Sequence, residues 1–216
     1  MSKYNRTFHL NWSPGATSDD KIAPSVESLL NIDIVITEKL DGSNSAITKG
    51  GVYARSHSGY TNNPWDSSII EIQAQIGRHI DDGVFLFGEN MEGIHSIEYT
   101  NLTSYFYLFG VRDGEIWVPW DAVEEYAFLL DIPTVPVLFR GQVKSEKQLK
   151  ELTEGLCKKP SELGGVREGV VVRNAGMFHN DHFSENVMKW VRPDHVQTDE
   201  HWTRNWKRAM KAKLKY

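Results

Sequence analysis

The chain has 216 residues, 40% of them apolar and 25% charged, enough to bury a sizeable core of ordinary globular composition. No apolar run reaches the length of a membrane-crossing helix, and no apolar export segment follows the start, so a cytoplasmic protein is expected. A formal net charge of −5 argues against indiscriminate coating of nucleic acid, and a single cysteine, Cys157, excludes an internal disulfide and a multi-cysteine zinc site.

Residues 1–30 are polar, punctuated by Pro14-Gly15 and Pro24. They read as an irregular lead-in with at most a short helix near 25–30 and no visible chemistry. Strands are predicted at 33–40, 44–49 and 52–56, the last two joined by Gly50-Gly51 as a hairpin that holds Arg55 facing the turn after the first strand. Ile69, Ile72, Ile76 and Ile80 recur at helical spacing over about 64–80, a core-facing stripe. Residues 84–89 alternate as a strand and deliver Glu89 at its end. A strongly aromatic strand at 104–111 is turned by Asp113-Gly114 into 115–118, with core packing the plain role of its rings. Helices follow at 121–130 and 145–156, the second opened by a Ser145/Gln148 capping box. Residues 166–174 and 186–191 read as paired strands, and His179 and His182, without carboxylate or cysteine companions at ligand spacing, as loop residues. The fold class is α+β, antiparallel sheets flanked by helices in one compact domain over 1–193.

From Arg204 onward there are six cations and no acid, which leaves about −11 for the rest of the chain. Trp202, Trp206, Ala209 and Met210 fall at helical spacing opposite most of the cations. Residues 194–216 are therefore expected to form a basic helical tail that docks by its apolar side and holds a polynucleotide. A solvated helix end with lysines near its carboxyl terminus is the plainer alternative.

The chemistry centres on residues 37–44, Thr-Glu-Lys-Leu-Asp-Gly-Ser-Asn, where a strand end enters a tight turn. Lys39 reads as a covalent nucleophile. A lysine attacks when neutral, and Arg55 and Lys189 are cations expected to depress its pKa alongside burial and a bound metal. Gly42 is expected to let the backbone approach a phosphate. Taken alone, Lys-x-Asp-Gly equally describes a hairpin turn with a surface lysine and aspartate.

Glu38-Lys39-Leu40-Asp41-Gly42 resembles the first motif of the covalent nucleotidyltransferases, the ATP-dependent ligases and GTP-dependent mRNA-capping enzymes. Further resemblances follow in the family's order: Arg55 on the next strand, Phe87-Gly88-Glu89, the aromatic strand 105–110, Glu168-Gly169-Val170-Val171-Val172-Arg173, and Val187-Met188-Lys189-Trp190. The phrasing Lys-x-Asp-Gly-Ser-Asn and Phe-Gly-Glu-Asn is most similar to RNA ligases of the nick-sealing, RNA ligase 2-like type. The fifth motif departs from the pattern, with Val191 where a second lysine is common and Arg192 next.

The resemblance implies a nucleotidyltransferase or ATP-grasp-like ligase core, without room after the fifth motif for the OB-fold that DNA ligases and guanylyltransferases usually carry. It implies that Lys39 attacks the α-phosphorus of ATP and becomes lysyl-AMP, with Lys189 and Arg192 neutralising the phosphate. AMP then passes to a 5′-phosphate RNA end, which a 3′-hydroxyl joins. By the same resemblance Glu38 offers its backbone near adenine, Phe109 stacks on the purine and Glu89 contacts the ribose. Arg55 contacts the ribose or incoming end, and Asn44 the phosphates or the 3′ end. Asp41, Glu89 and Glu168 are expected around magnesium or manganese, through its waters. The implied partners are RNA ends or a nicked duplex, taken up by a monomer. A DNA ligase, a guanylyltransferase and a catalytically silent nucleotide- or RNA-binding protein are the alternatives.

Overall fold

The computed structural model describes residues 3–55, 59–193 and 202–212. In chain order its elements are β1 Phe8–His9, β2 Asp33–Lys39, β3 Ser43–Thr48, β4 Gly51–Ala54, α1 Ser67–Ile76, β5 Val84–Asn90, β6 Phe106–Asp113 and β7 Ile116–Trp117. They continue with α2 Trp120–Leu129, β8 Val137–Gln142, α3 Glu146–Cys157, β9 Gly169–Asn174, β10 Phe178–His179, α4 Phe183–Asn186 and β11 Val187–Val191. One sheet has the order β1-β11-β9-β2-β8 and the other β10-β7-β6-β5-β3-β4. The α+β class expected from the sequence is the one found. The sheets are antiparallel apart from the pairing of β1 with β11, which is parallel. Between Lys39, the last residue of β2, and Ser43, the first of β3, the chain crosses from one sheet to the other.

Two parts of the chain exceed the sequence reading. The lead-in is not merely irregular: β1 runs along β11, and Leu10, Ala23, Val26 and Leu29, each at most 2% exposed, share a core with Leu149, Val170, Val172 and Met188. Strand β8 was not anticipated, since its residues are all exposed or half-buried and carry no strong apolar period. The isoleucine stripe buries Ile69, Ile76 and Ile80, although the α-helix itself spans only Ser67–Ile76, between two 3-10 turns. The expected capping box opens α3. Ser145 Oγ accepts from the Gln148 amide at 3.2 Å, and Gln148 Oε1 accepts from the amide of Lys144, one residue before the cap.

The strand expected at 166–174 begins only at Gly169 because the two residues before it are committed elsewhere. Arg167 is buried, with Nε 3.4 Å from Glu38 Oε2, Nη1 donating to Leu156 O and Nη2 to Glu162 Oε1. Both members of the Arg167–Glu38 pair are about 1% exposed, so removing one leaves a charge in the core. Arg167→Ala is expected to cost about 3–5 kcal/mol of unfolding free energy, read as a fall in urea midpoint at constant slope. Glu38→Gln with Arg167→Met should lose much less, and equal losses would contradict a charge-driven cost.

The tail departs from the helix expected of it. Over 202–212 it is one 3-10 turn, Trp202–Asn205, followed by extended chain lying against the loop 91–105 between β5 and β6. Ile94 N donates to Lys207 O at 2.9 Å, Ala209 N to Glu92 O at 2.8 Å and Ala212 N to Leu102 O at 2.7 Å. Arg208 pairs with the Glu92 carboxylate at 2.9 Å, and the cationic ends of Arg208 and Lys211 lie over the Tyr105 ring. Backbone partners on the loop have taken the place of helical ones. Residues 194–201 and 213–216 of the expected helix lie outside the described residues.

Candidate active site

A cavity of about 580 Å³ opens between the two sheets. Strand alternation sends Thr37 and Lys39 of β2 to one face, and the register places Val171 opposite Thr37 and Gly169 opposite Lys39. On the next strand Lys189 lies opposite Val171, and β1 brings His9 alongside Lys189. Gly169 is required by close approach, since a Cβ there would fall 2.1 Å from Trp190 O. Gly42 has a similar reason: a Cβ would lie 2.5 Å from Asn90 O and 2.8 Å from Met91 Sδ. Protein, not phosphate, fills the space that its missing side chain leaves.

Lys39 Nζ donates to both oxygens of Glu168, at 2.8 and 2.7 Å, and Glu168 is nearly buried. The expectation of a depressed lysine pKa is overturned for this state. Burial lowers it, but Glu168 first, then Glu89 and Asp41, raise it further, and the ammonium form is held. Arg55 lines the cavity but is exposed, and the carboxylates set the direction of the Lys39 shift against burial. Lys189 shifts the other way. Burial lowers its pKa, Lys39 adds to that, and Asp20, with its Oδ1 3.6 Å away, opposes both.

Glu89 also faces the cavity. Burial pushes its carboxyl up to about 8 against the pull of the Lys39 charge, with Glu168 and Asp41 adding to the rise; the Gly42 amide, 3.2 Å away, opposes it. Asn44 lines the same cavity with its Oδ1 buried and without a hydrogen-bond partner among the described residues, an acceptor aimed at something the protein does not supply. Glu38 lines the cavity while its carboxylate turns away to Arg167. Phe109 is half-buried on the cavity wall.

Three expected site residues do not line the cavity: Asp41, Arg192, and Glu168, which meets it only through its pairing with Lys39. Asp41 Oδ2 accepts from the amides of Ser96 and Ile97 at 2.7 and 2.8 Å, which makes it the anchor of its own turn. Arg192 contributes its main chain, its amide donating to Glu168 O at 3.0 Å, and its side chain is not among the lining groups. Among the described residues, no three His, Cys, Asp or Glu side chains converge on a point that could hold a metal ion directly. With Asp41 committed to amides, Glu89 and Glu168 remain beside Lys39. That donor set fits a hydrated ion held through its waters rather than a protein cage.

The cavity also has walls that the sequence did not reveal. Tyr4 sits in a box of rings, with centroids 5.3 Å from Phe87, 5.2 Å from Phe109, 5.6 Å from Trp117 and 5.1 Å from Phe183. Burial raises its phenol to about 12 despite a hydrogen bond with Thr7. Arg173 lies at the same end, donating to the carbonyls of Phe109 and Val118, its pKa lowered to about 10 by burial. Arg6, Thr7 and Asp20 line the cavity as well. A lone tyrosine in a polar lead-in has no periodicity to betray it, and only the β1–β11 pairing places the segment there.

A family model described as RNA ligase matches residues 32–191. Among solved structures, the fold is similar to that of Naegleria gruberi RNA ligase with pyrophosphate, at TM-score 0.62 and 17% identity, covering 89% of this chain and 56% of that one. A mutant of the same protein with ATP and Mn gives TM-score 0.61 at 18% identity, and another with AMP and Mn gives 0.62 at 16%, each with the same coverage. The chain spans just over half the length of these structures, and identity this low shows a shared fold. No curated protein matches it significantly.

Proposed function

The chain belongs to the RNA ligase family, and from that membership we propose that it is an ATP-dependent ligase of the nick-sealing, RNA ligase 2-like type. Residues 1–193 form its adenylyltransferase domain, 194–216 its basic tail, and a monomer in the cytoplasm acts on RNA ends or a nicked duplex. The observation that carries the reading is the grouping of Lys39, Lys189 and Glu89 about one nucleotide-sized cavity, with Glu168 paired to Lys39 behind its wall.

In the first step Lys39 Nζ forms a bond to the α-phosphorus of ATP, the bond to the bridging oxygen breaks and pyrophosphate leaves. Lys189 lies on the same face of the sheet and offsets charge that develops on the α-phosphate. Asn44 Oδ1 and Glu89 accept from the nucleotide's ribose or, for Asn44, from the 3′ end of the RNA. Phe109 and Val171 flank the base, with Tyr4 and Arg173 closing the far end. Glu89 and Glu168 would hold a hydrated magnesium or manganese ion through its waters, and its positive charge would lower the proton affinity of Lys39. Lys39 gives up its proton before attack, so its two-oxygen pairing with Glu168 has to loosen as substrate enters. AMP then moves to a 5′-phosphate, and a 3′-hydroxyl displaces it to seal the strand.

Incubation with α-labelled ATP and a divalent metal, followed by denaturing electrophoresis, is expected to leave acid-labile label on the protein, with GTP and NAD giving none. A nicked duplex with an RNA 3′-hydroxyl strand should then be sealed by the labelled protein. Label from GTP alone would make the protein a guanylyltransferase, and no label from any nucleotide would make it a silent binder. Phe109→Ala should weaken ATP binding by about 1–3 kcal/mol, the worth of one base–ring stack. Unchanged affinity in the folded variant would assign Phe109 to core packing alone.

A further inference from the structure

The extended segment 207–212 lies outside the cavity, yet the loop to which it is bonded holds the turn that follows Lys39. Asp41 accepts from the amides of Ser96 and Ile97, its own amide donates to Tyr99 Oη at 2.9 Å, and Ser43 Oγ lies 3.2 Å from His95 Nε2. The direction of the chain immediately after Lys39 is thus set by loop 91–105. A loop of that length, with little regular structure of its own, keeps a fixed position only if it is tied down.

The tail ties it at Glu92, Ile94 and Leu102 by the three backbone hydrogen bonds already described, and Tyr105 Oη donates to Ala209 O at 2.7 Å. Side chains extend the clamp to α1. The buried Glu92 carboxylate accepts from Ser67 Oγ and Ser68 N, each at 2.8 Å, and Arg208 binds both that carboxylate and Ser68 Oγ.

We propose that residues 207–212 are a positioning element for the nucleophile: they clamp loop 91–105 and so hold the 41–43 turn that aims Lys39. The proposal rests on Lys39 being the nucleophile. It gives this part of the tail a different task from the phosphate binding expected from its charge, because Arg208 is committed to Glu92 and both Arg208 and Lys211 lie on the Tyr105 ring.

Single-turnover labelling with α-labelled ATP separates the possibilities. Ending the chain after Trp206 is expected to lower the rate constant of lysyl-AMP formation about 100-fold, the scale of a small displacement imposed from outside the site, with the KM for ATP little changed. A loss of folding alone reduces the labelled amplitude and leaves the rate constant of the folded fraction intact. Ala209→Pro repeats the test in a full-length chain by removing the amide that donates to Glu92 O while fixing the local backbone, and a smaller fall in the rate constant is expected. Rate constants equal to the unaltered protein's in both variants, or a defect confined to RNA sealing, overturn the proposal. An unaltered protein that takes no label overturns the nucleophile assignment instead.

Discussion

Lys39→Ala and Lys39→Arg are both expected to leave the protein without acid-labile adenylate, while the cavity still binds ATP. The two variants divide the residue's roles. Alanine removes the attacking amine and a two-oxygen partner of Glu168, a carboxylate only 5% exposed, so a loss of stability is expected to accompany the loss of labelling. Arginine keeps a positive charge and two donors for the Glu168 oxygens, but its guanidinium stays protonated at any working pH and does not attack. Label on either variant, mapped to another residue, would move the nucleophile. Label absent from alanine but present on arginine would leave no place for an amine nucleophile here.

Glu168→Ala and Lys189→Ala are each expected to slow lysyl-AMP formation by about two orders of magnitude, the usual cost of removing one preorganised electrostatic contact. The glutamate variant has a second signature. Glu168 is the largest influence raising the Lys39 pKa, against the lowering by burial, so its removal moves the lysine's titration to lower pH. The rate of Glu168→Ala should therefore be lower at every pH, but its rise with pH should come earlier than in the unaltered protein. If Glu168 did no more than hold a proton on Lys39, the variant would instead be faster at neutral pH. Near-normal rates in both variants would reduce the two residues to strand-end and solvated-face roles.

The features legible in the sequence were those written in local pattern. The Gly50-Gly51 hairpin, the isoleucine stripe of α1, the Ser145/Gln148 cap and the strands that carry Lys39, Glu89 and Lys189 all follow from spacing or turn chemistry. What escaped is what tertiary contact decides. Asp41 reads as an acid beside a nucleophile, but two amides more than fifty residues away claim its carboxylate. Tyr4 and Asp20 reach the cavity only because β1 aligns with β11. The tail shows how periodicity misleads: Ala209 and Met210 share the apolar spacing, yet Ala209 is buried and Met210 is 77% exposed, as an extended chain requires of neighbours. Its amides bond to the loop beside it, and a short segment gains more from such partners than from an isolated helical turn.

The crossing of the chain from one sheet to the other between Lys39 and Ser43 divides the proposed labour. Lys39, Glu168 and Lys189 belong to, or directly adjoin, the five-stranded sheet, whereas Asn44, Glu89 and Phe109 stand on the six-stranded one. In the proposed assignment the bond-making groups stand mostly on one scaffold and the nucleotide-holding groups mostly on the other, with Val171 and Arg173 of the five-stranded sheet and Glu89 of the six-stranded one serving across a three-residue joint. A change at Phe109 therefore revises one base contact without touching the strands that carry Lys39 and Lys189, whereas a change at Val171 does not. Drift in the joint itself degrades bond-making and nucleotide holding together.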